Sequence, residues 1–377
     1  MTKQATKMQS RPHVLSGSIA VSFPILRIDG VFGPQSPLRT ISGETGVKSM
    51  RRLVFIDRAV WDEHGHSITT YFAPSATDTR LEILNLSEEQ KDVDSLRTVI
   101  RAIEEFDPLR RAEPVVAIGG GVLMDVVGFA SSIFRRGLPY VRVPSTLIGQ
   151  VDAGVGVKTG INLGTRKNKL GAYHAPIACL NDQNLLQTVP MRHISSGMAE
   201  ILKVAIVKDY KLFEMLEAHG AAGVARRMCT AFDAEVMDRA IVGMVSELET
   251  NLTEHALERL MDFGHTFSPQ LELELNILHG ESVALDMAIC SAISCRRGLL
   301  SRQSFKRILE LMVALQLPIA DPRVSVSDLD RALTSTTRHR DGKQRAAMPT
   351  SIGGAHFVND ISTEELAAAL NSLRDER

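Results

Sequence analysis

The segment Pro114-Val-Val-Ala-Ile118 runs straight into Gly119-Gly120-Gly121 and then into a helical pattern from about Val122 to Phe134. A short, wholly apolar strand followed by a glycine turn and a helix points to a parallel α/β layer, because a strand buried on both faces needs helices to cover it. Such a turn also leaves the first amides of the helix without intrahelical partners, where a pyrophosphate can bind. The triplet lacks the GxGxxG spacing of the common dinucleotide fingerprint, so the reading rests on its strand-before, helix-after setting.

Strands and helices alternate around this turn. Leu53-Val-Phe-Ile-Asp57 and Leu81-Glu-Ile-Leu-Asn-Leu86 read as strands, Val93 to Phe106 as a helix and Tyr140-Val-Arg-Val143 as a further strand. Residues 13–185 are therefore expected to form an α/β domain behind a disordered polar tail over 1–12. Beyond Leu185 the pattern turns to long helices, over about 196–208, 236–252, 279–297 and 304–315, and strand-like runs almost vanish. A mainly α-helical second domain over 186–377 follows, with the ligand site in the cleft between the two.

Composition narrows the partner. A net charge of -1, with 44% hydrophobic and 23% charged residues, gives no long-range attraction to nucleic acid or to acidic membranes, so a small molecule is expected. No apolar run approaches membrane-spanning length, and the polar N-terminus has no signal-type apolar segment. Cys179, Cys229, Cys290 and Cys295 show no paired spacing, which fits a reducing cytoplasm.

Two sets of residues carry chemistry. The stretch from Pro144 to Asn162, continuing to Lys167-Asn168, is rich in glycine, and Lys158, Lys167 and Asn168 offer the donors that a phosphate or sugar oxygen needs. A glycine-rich turn with surface lysines explains the same residues. In the helical half, Glu200, His265 and His279 make up the donors of a His2Glu zinc site with room for a substrate oxygen. Read singly, His265 could cap a helix and His279 could be a core or boundary imidazole.

Taken in order, Gly119-Gly-Gly-Val-Leu-Met-Asp125, Pro144-Ser-Thr-Leu with Lys158-Thr-Gly-Ile-Asn162, Glu200 to Lys203, Gly264-His-Thr-Phe267 and His279-Gly-Glu281 resemble the sugar phosphate cyclases, of which dehydroquinate synthase is the best-known member. The resemblance runs from about Leu53 to Gly353. It implies a Rossmann-like NAD-binding α/β domain, a helical metal-binding domain and a homodimer. It also implies zinc or cobalt on Glu200, His265 and His279, and an NAD site lined by Asp57, Glu88, Lys91, Gly120, Gly121, Asp125, Ser145, Thr146, Lys167 and Thr188. Arg136, Asp152, Lys158, Asn168 and Lys203 would face the substrate. Arg136, next to Arg135, could instead belong to a solvated helix end.

The departures from dehydroquinate synthase bear on the substrate. That enzyme has asparagine where Asp262 stands, histidine where Pro269 stands and lysine at the place aligned with Met244. Without that histidine and lysine, a substrate carboxylate would lack cationic partners in a closed site. Met261 to Pro269, with His339-Arg340-Asp341-Gly342 and Pro349, resembles the 2-epi-5-epi-valiolone synthases, which cyclise sedoheptulose 7-phosphate. The desmethyl-4-deoxygadusol synthases share the proline but place alanine at position 262. The resemblance thus implies transient oxidation by NAD, β-elimination of phosphate, reduction, ring opening and aldol closure, with Asp262 accepting from a heptulose hydroxyl. A 2-epi-valiolone synthase and a 3-dehydroquinate synthase remain alternatives, and a metal-dependent polyol dehydrogenase a more remote one.

Overall fold

A computed structural model describes residues 15–43, 51–75, 78–164 and 166–376, and the tail expected over 1–12 lies outside them. The strands of the first half are β1 (Ile25–Arg27), β2 (Arg52–Asp57), β3 (Thr79–Leu84), β4 (Val115–Gly119), β5 (Tyr140–Pro144), β6 (Lys158–Leu163), β7 (Arg166–Tyr173) and β8 (Ala178–Asn181). Six of them form a sheet in the order β1-β8-β5-β4-β2-β3 with every neighbouring pair parallel. Strands β6 and β7 form a separate antiparallel hairpin.

Helices α1 (Arg58–Phe72), α2 (Val93–Phe106) and α3 (Gly121–Ile133) cover the sheet. Alternation along the strands decides which face each helix meets, because successive side chains of a strand point to opposite sides. Val54, Ile56, Val116, Ile118 and Val143 pack with Val60, Ile68 and Phe72 of α1. Leu53, Phe55, Val115, Ala117 and Tyr140 pack with Val99 and Ile103 of α2 and with Leu123 and Val127 of α3. The chain leaves β2 for β3 on one side, then returns across β2 to β4 on the other. The winding therefore reverses between β2 and β4, and a ligand crevice opens at the carboxyl ends of strands at such a reversal. Asp57 and Gly119 sit at those two ends.

The glycine-rich stretch after β5 is not a single loop. A π-helical turn over Gly149–Ala153, in which Gly154 N donates to Gly149 O at 2.8 Å, leads into the β6–β7 hairpin. Arg142, fully buried on β5, organises it from below: Nη1 donates to Ala153 O at 3.1 Å and Gly156 O at 2.5 Å, and Nη2 to Lys158 O at 3.1 Å.

The second half contains α4 (Met191–Val207), α5 (Tyr210–Ala225), α6 (Ala231–Leu248), α7 (Ser268–Leu275), α8 (His279–Arg296), α9 (Arg302–Ala314), α10 (Val326–His339) and α11 (Thr363–Asp375). A hairpin of β9 (Ala346–Ser351) and β10 (Gly354–Val358) interrupts the helices and packs its Ala346, Ala347 and Met348 into their core. Helices α4 and α8 are buried along almost their whole length, as interior helices apolar on all sides are. No helix among the described residues is long and apolar enough to cross a membrane.

Candidate active site

Glu200 lies midway along α4, His265 in the turn before α7, and His279 at the first position of α8. Their ligand atoms lie within 4.8 Å of one another. Glu200 Oε1 is 3.1 Å from His279 Nε2 and 3.8 Å from His265 Nε2. His265 Nδ1 is 3.2 Å from Phe263 O, and His279 Nδ1 is 3.1 Å from Glu272 Oε2. Both of those partners accept, so each Nδ1 can keep its proton, and Nε2, on the side of Glu200, is the nitrogen whose lone pair a cation would take in exchange for a proton. Glu200 Oε2 is paired with the Lys203 ammonium.

The charges sort themselves by environment. Burial and the nearby Lys203 lower the His265 imidazole to about 4. Burial would lower His279 too, but its bonds to Glu200 and Glu272 hold it up at about 10. Against burial, the same contact with His279 draws Glu272 down to about 2, and Lys203 holds Glu200 well below the usual carboxylate range. An arrangement that favours a positive charge between two carboxylates also favours a divalent cation there. One carboxylate oxygen and two imidazole nitrogens are donors that suit zinc.

Lys203, one turn from Glu200 and buried, sits 3.8 Å from Asp152 Oδ1 on the π-helical turn. Burial and the proximity of Glu200 push the Asp152 carboxyl up. Asp262 lies deeper in charge than the sequence suggested. Its Oδ2 accepts from Arg259 Nη2 at 2.7 Å and Nε at 3.1 Å, and lies 3.4 Å from Arg340 Nη2. Lys158 pairs with Glu254, which pairs in turn with Arg259. Met244 is buried on α6 and Pro269 occupies the first turn of α7. Cations are therefore present at this wall after all, as Arg259 and Arg340, but carboxylates of the protein engage them.

Asp57, Gly120, Gly121, Ser145 and Thr146 gather at the carboxyl ends of β2, β4 and β5. Asp57 accepts from Ala59 N at 2.9 Å as the cap of α1, and burial raises its carboxyl. A Cβ on Gly119 would lie 2.7 Å from Leu123 Cδ2 and 3.0 Å from Asp57 Cβ, so the end of β4 is crowded against a side chain at that position. No side chain caps α3, which leaves its first amides open toward this crevice. Thr188 Oγ1 is 3.1 Å from His64 Nε2 beside α1.

Glu88, Lys91, Asp125, Lys167 and Asn168 form another polar group. Lys91 Nζ is 2.5 Å from Asp125 Oδ2 and donates to Asn168 Oδ1 at 2.7 Å. Lys167 Nζ is 3.4 Å from Glu88 Oε1 and 2.5 Å from Glu272 Oε1. Glu272 thereby joins this group to His279. Arg136 is exposed after α3, and among the described residues no hydrogen bond or ion pair ties it to either cluster. Sequence reasoning missed Glu272, Glu254, Arg259 and Arg142. Arg142 had a visible signal, a lone charge inside the apolar run Tyr140 to Val143, whereas Glu272 stood unremarked seven residues before His279.

Residues 82–196 match the 3-dehydroquinate synthase N-terminal family and residues 197–339 the 3-dehydroquinate synthase C-terminal family. A 2-epi-5-epi-valiolone synthase from an Actinomyces species is 44% identical over 364 residues, spanning 94% of this chain and 96% of its own. The solved structure of ValA, the 2-epi-5-epi-valiolone synthase of Streptomyces hygroscopicus subsp. jinggangensis 5008 with NAD+ and Zn2+ bound, superposes with a TM-score of 0.91. It is 40% identical, with 97% of this chain and 100% of that one covered. A 2-deoxy-scyllo-inosose synthase, at 21% identity and a TM-score of 0.73 over 85% of this chain and 90% of its own, shares the fold.

Proposed function

This chain belongs to the 3-dehydroquinate synthase family, and from that premise we propose that it is a sugar phosphate cyclase converting sedoheptulose 7-phosphate to 2-epi-5-epi-valiolone and phosphate. The observation that carries the chemistry is the convergence of Glu200, His265 and His279 beside a parallel sheet whose point of reversal bears Asp57 and the glycine turn. The state of Asp262 carries the choice of substrate. Its carboxylate, with that of Glu254, engages the arginines nearest to it, so this wall suits a neutral heptulose head better than a carboxylated one.

Glu200, His265 and His279 would hold zinc, and Asp57, Gly120, Gly121, Ser145 and Thr146, with Glu88, Lys91, Asp125, Lys167 and Thr188, would line an NAD site. When bound, the metal supplies a Lewis acid for a carbinol oxygen and NAD a reversible hydride acceptor. Against burial, Glu200 and Asp152 hold the Lys203 amine above its usual range, so it stays an ammonium that can donate to a substrate hydroxyl. Asp152, with its raised carboxyl, is suited to hold a proton beside it. Lys158 is more than half exposed and can exchange Glu254 for the substrate phosphate, joined by Asn168 and Arg136. The overall conversion needs neither water nor net electrons, since loss of phosphate and ring closure leave the carbon skeleton at the same oxidation level. The working form would be a cytoplasmic homodimer serving C7-cyclitol biosynthesis in secondary metabolism.

Purified protein given sedoheptulose 7-phosphate, NAD+ and Zn2+ should release phosphate in step with a cyclitol, identified by NMR, without accumulating NADH. Stoichiometric NADH would overturn the cyclase reading and indicate a polyol dehydrogenase. A different valiolone epimer would move the product assignment alone.

A further inference from the structure

Asp286 lies on α8 seven residues after His279, two helical turns or roughly 10 Å along the axis. It is completely buried, where an unpaired carboxylate is costly. Its partners explain the placement. Oδ2 accepts from Phe267 N and from Ser268 N, the latter at 2.9 Å, and Oδ1 accepts from the Cys290 thiol at 3.3 Å. The two amides belong to the start of α7, which has no side-chain cap of its own and whose Pro269 carries no N–H. Asp286 thus caps α7 from a different helix.

The capped turn is the one that carries His265. Gly264, with φ +79°, lies against α8 so closely that a Cβ there would be 2.8 Å from Val283 Cγ1 and 3.0 Å from Met287 Cγ. On the other side of the turn, Thr336 Oγ1 donates to Thr266 O at 2.8 Å and Arg340 Nη2 to His265 O at 3.2 Å. Helix α7 in turn carries Glu272, the partner of His279 Nδ1. We propose that Asp286 is a positioning residue: by tying the start of α7 to α8, it sets the place of His265 through the Phe267 turn and the orientation of the His279 ring through Glu272. This inference rests on the assignment of Glu200, His265 and His279 as metal ligands.

The test compares Asp286→Asn, Asp286→Ala and His265→Ala, each checked for folding by circular dichroism. The readouts are zinc affinity by chelator competition and the visible spectrum of the Co2+-loaded protein. Asp286→Ala should lose roughly 10-fold in zinc affinity, the low end of the scale for groups that bond a ligand directly, since it acts on the ligands through the turn and Glu272, and it should shift the Co2+ bands. Asp286→Asn keeps the shape and one acceptor oxygen but not the charge, so it should fold and lose roughly 3–10-fold. If His265→Ala loses zinc while both Asp286 variants match the parent in affinity and spectrum, the positioning role is overturned. If Asp286→Ala does not fold, a parental affinity and spectrum in Asp286→Asn overturn it alone. Unchanged zinc affinity in His265→Ala would instead sink the ligand assignment, and this inference with it.

Discussion

Gly280 of α8 lies against the backbone of Ser196 on α4 with no space for a side chain: a Cβ there would stand 1.8 Å from Ser196 O, and Gly280 N donates to Ser196 Oγ at 3.0 Å. The contact lies one residue from His279 and one turn from Glu200, so it sets how far apart those two side chains start. Gly280→Ala must push the helices apart. It should destabilise the protein by about 1–3 kcal/mol in denaturant titration and weaken zinc binding as well. Unchanged stability together with unchanged zinc affinity would show that the contact sets nothing.

His279→Ala removes one of three protein ligands. Zinc affinity and cyclase activity should both fall by at least about 10-fold, whereas His66→Ala, at an exposed position of α1, should leave both unchanged. His64 is a poorer control because its ring meets Thr188. Full activity of the His279 variant at trace zinc after chelation would remove His279 from the ligand set.

Glu272 shares its carboxylate between His279 and Lys167. Glu272→Ala should therefore lower zinc affinity by about 10–100-fold, and a double-mutant cycle with Lys167→Ala should show that the two losses are not additive. Additive losses would mean that Lys167 and Glu272 act independently.

Asp262→Asn leaves Arg340 without its carboxylate and Arg259 with Glu254 alone. The variant should bind 3-deoxy-arabino-heptulosonate 7-phosphate more tightly by about tenfold, the equivalent of one charged hydrogen bond of about 1.5 kcal/mol, and turn over sedoheptulose 7-phosphate more slowly. Inhibition constants for the acidic sugar measured in the two proteins decide the point. Equal constants would mean that the arginines are not reachable from the site.

The core of the fold was legible because burial leaves a strong imprint on sequence. Leu53 to Ile56 and Val115 to Ile118 are apolar without a break, and α2 runs over the very residues expected, Val93 to Phe106, with Asp92 accepting from Ser95 N at its start. Helix α1 was missed because much of its surface is exposed and Gly65 interrupts its apolar pattern. Strands β1 and β8, at three and four residues, are too short to show a period. The histidines were ambiguous as single residues, and the ordered resemblance gave them meaning. The ladder Lys158, Glu254, Arg259, Asp262, Arg340 had no such signal, because Lys158 and Arg340 lie far in sequence from the stretch Glu254 to Asp262 and meet it only through tertiary packing.

The bonds between Lys167 and Glu272, and between Lys203 and Asp152, each join a residue before position 182 to one after position 190. Two polar contacts at the centre thus depend on residues contributed by both ends of the chain. A change of charge at one member of either pair would leave a like or unpaired charge facing its partner from the other half, so these positions are coupled across the chain.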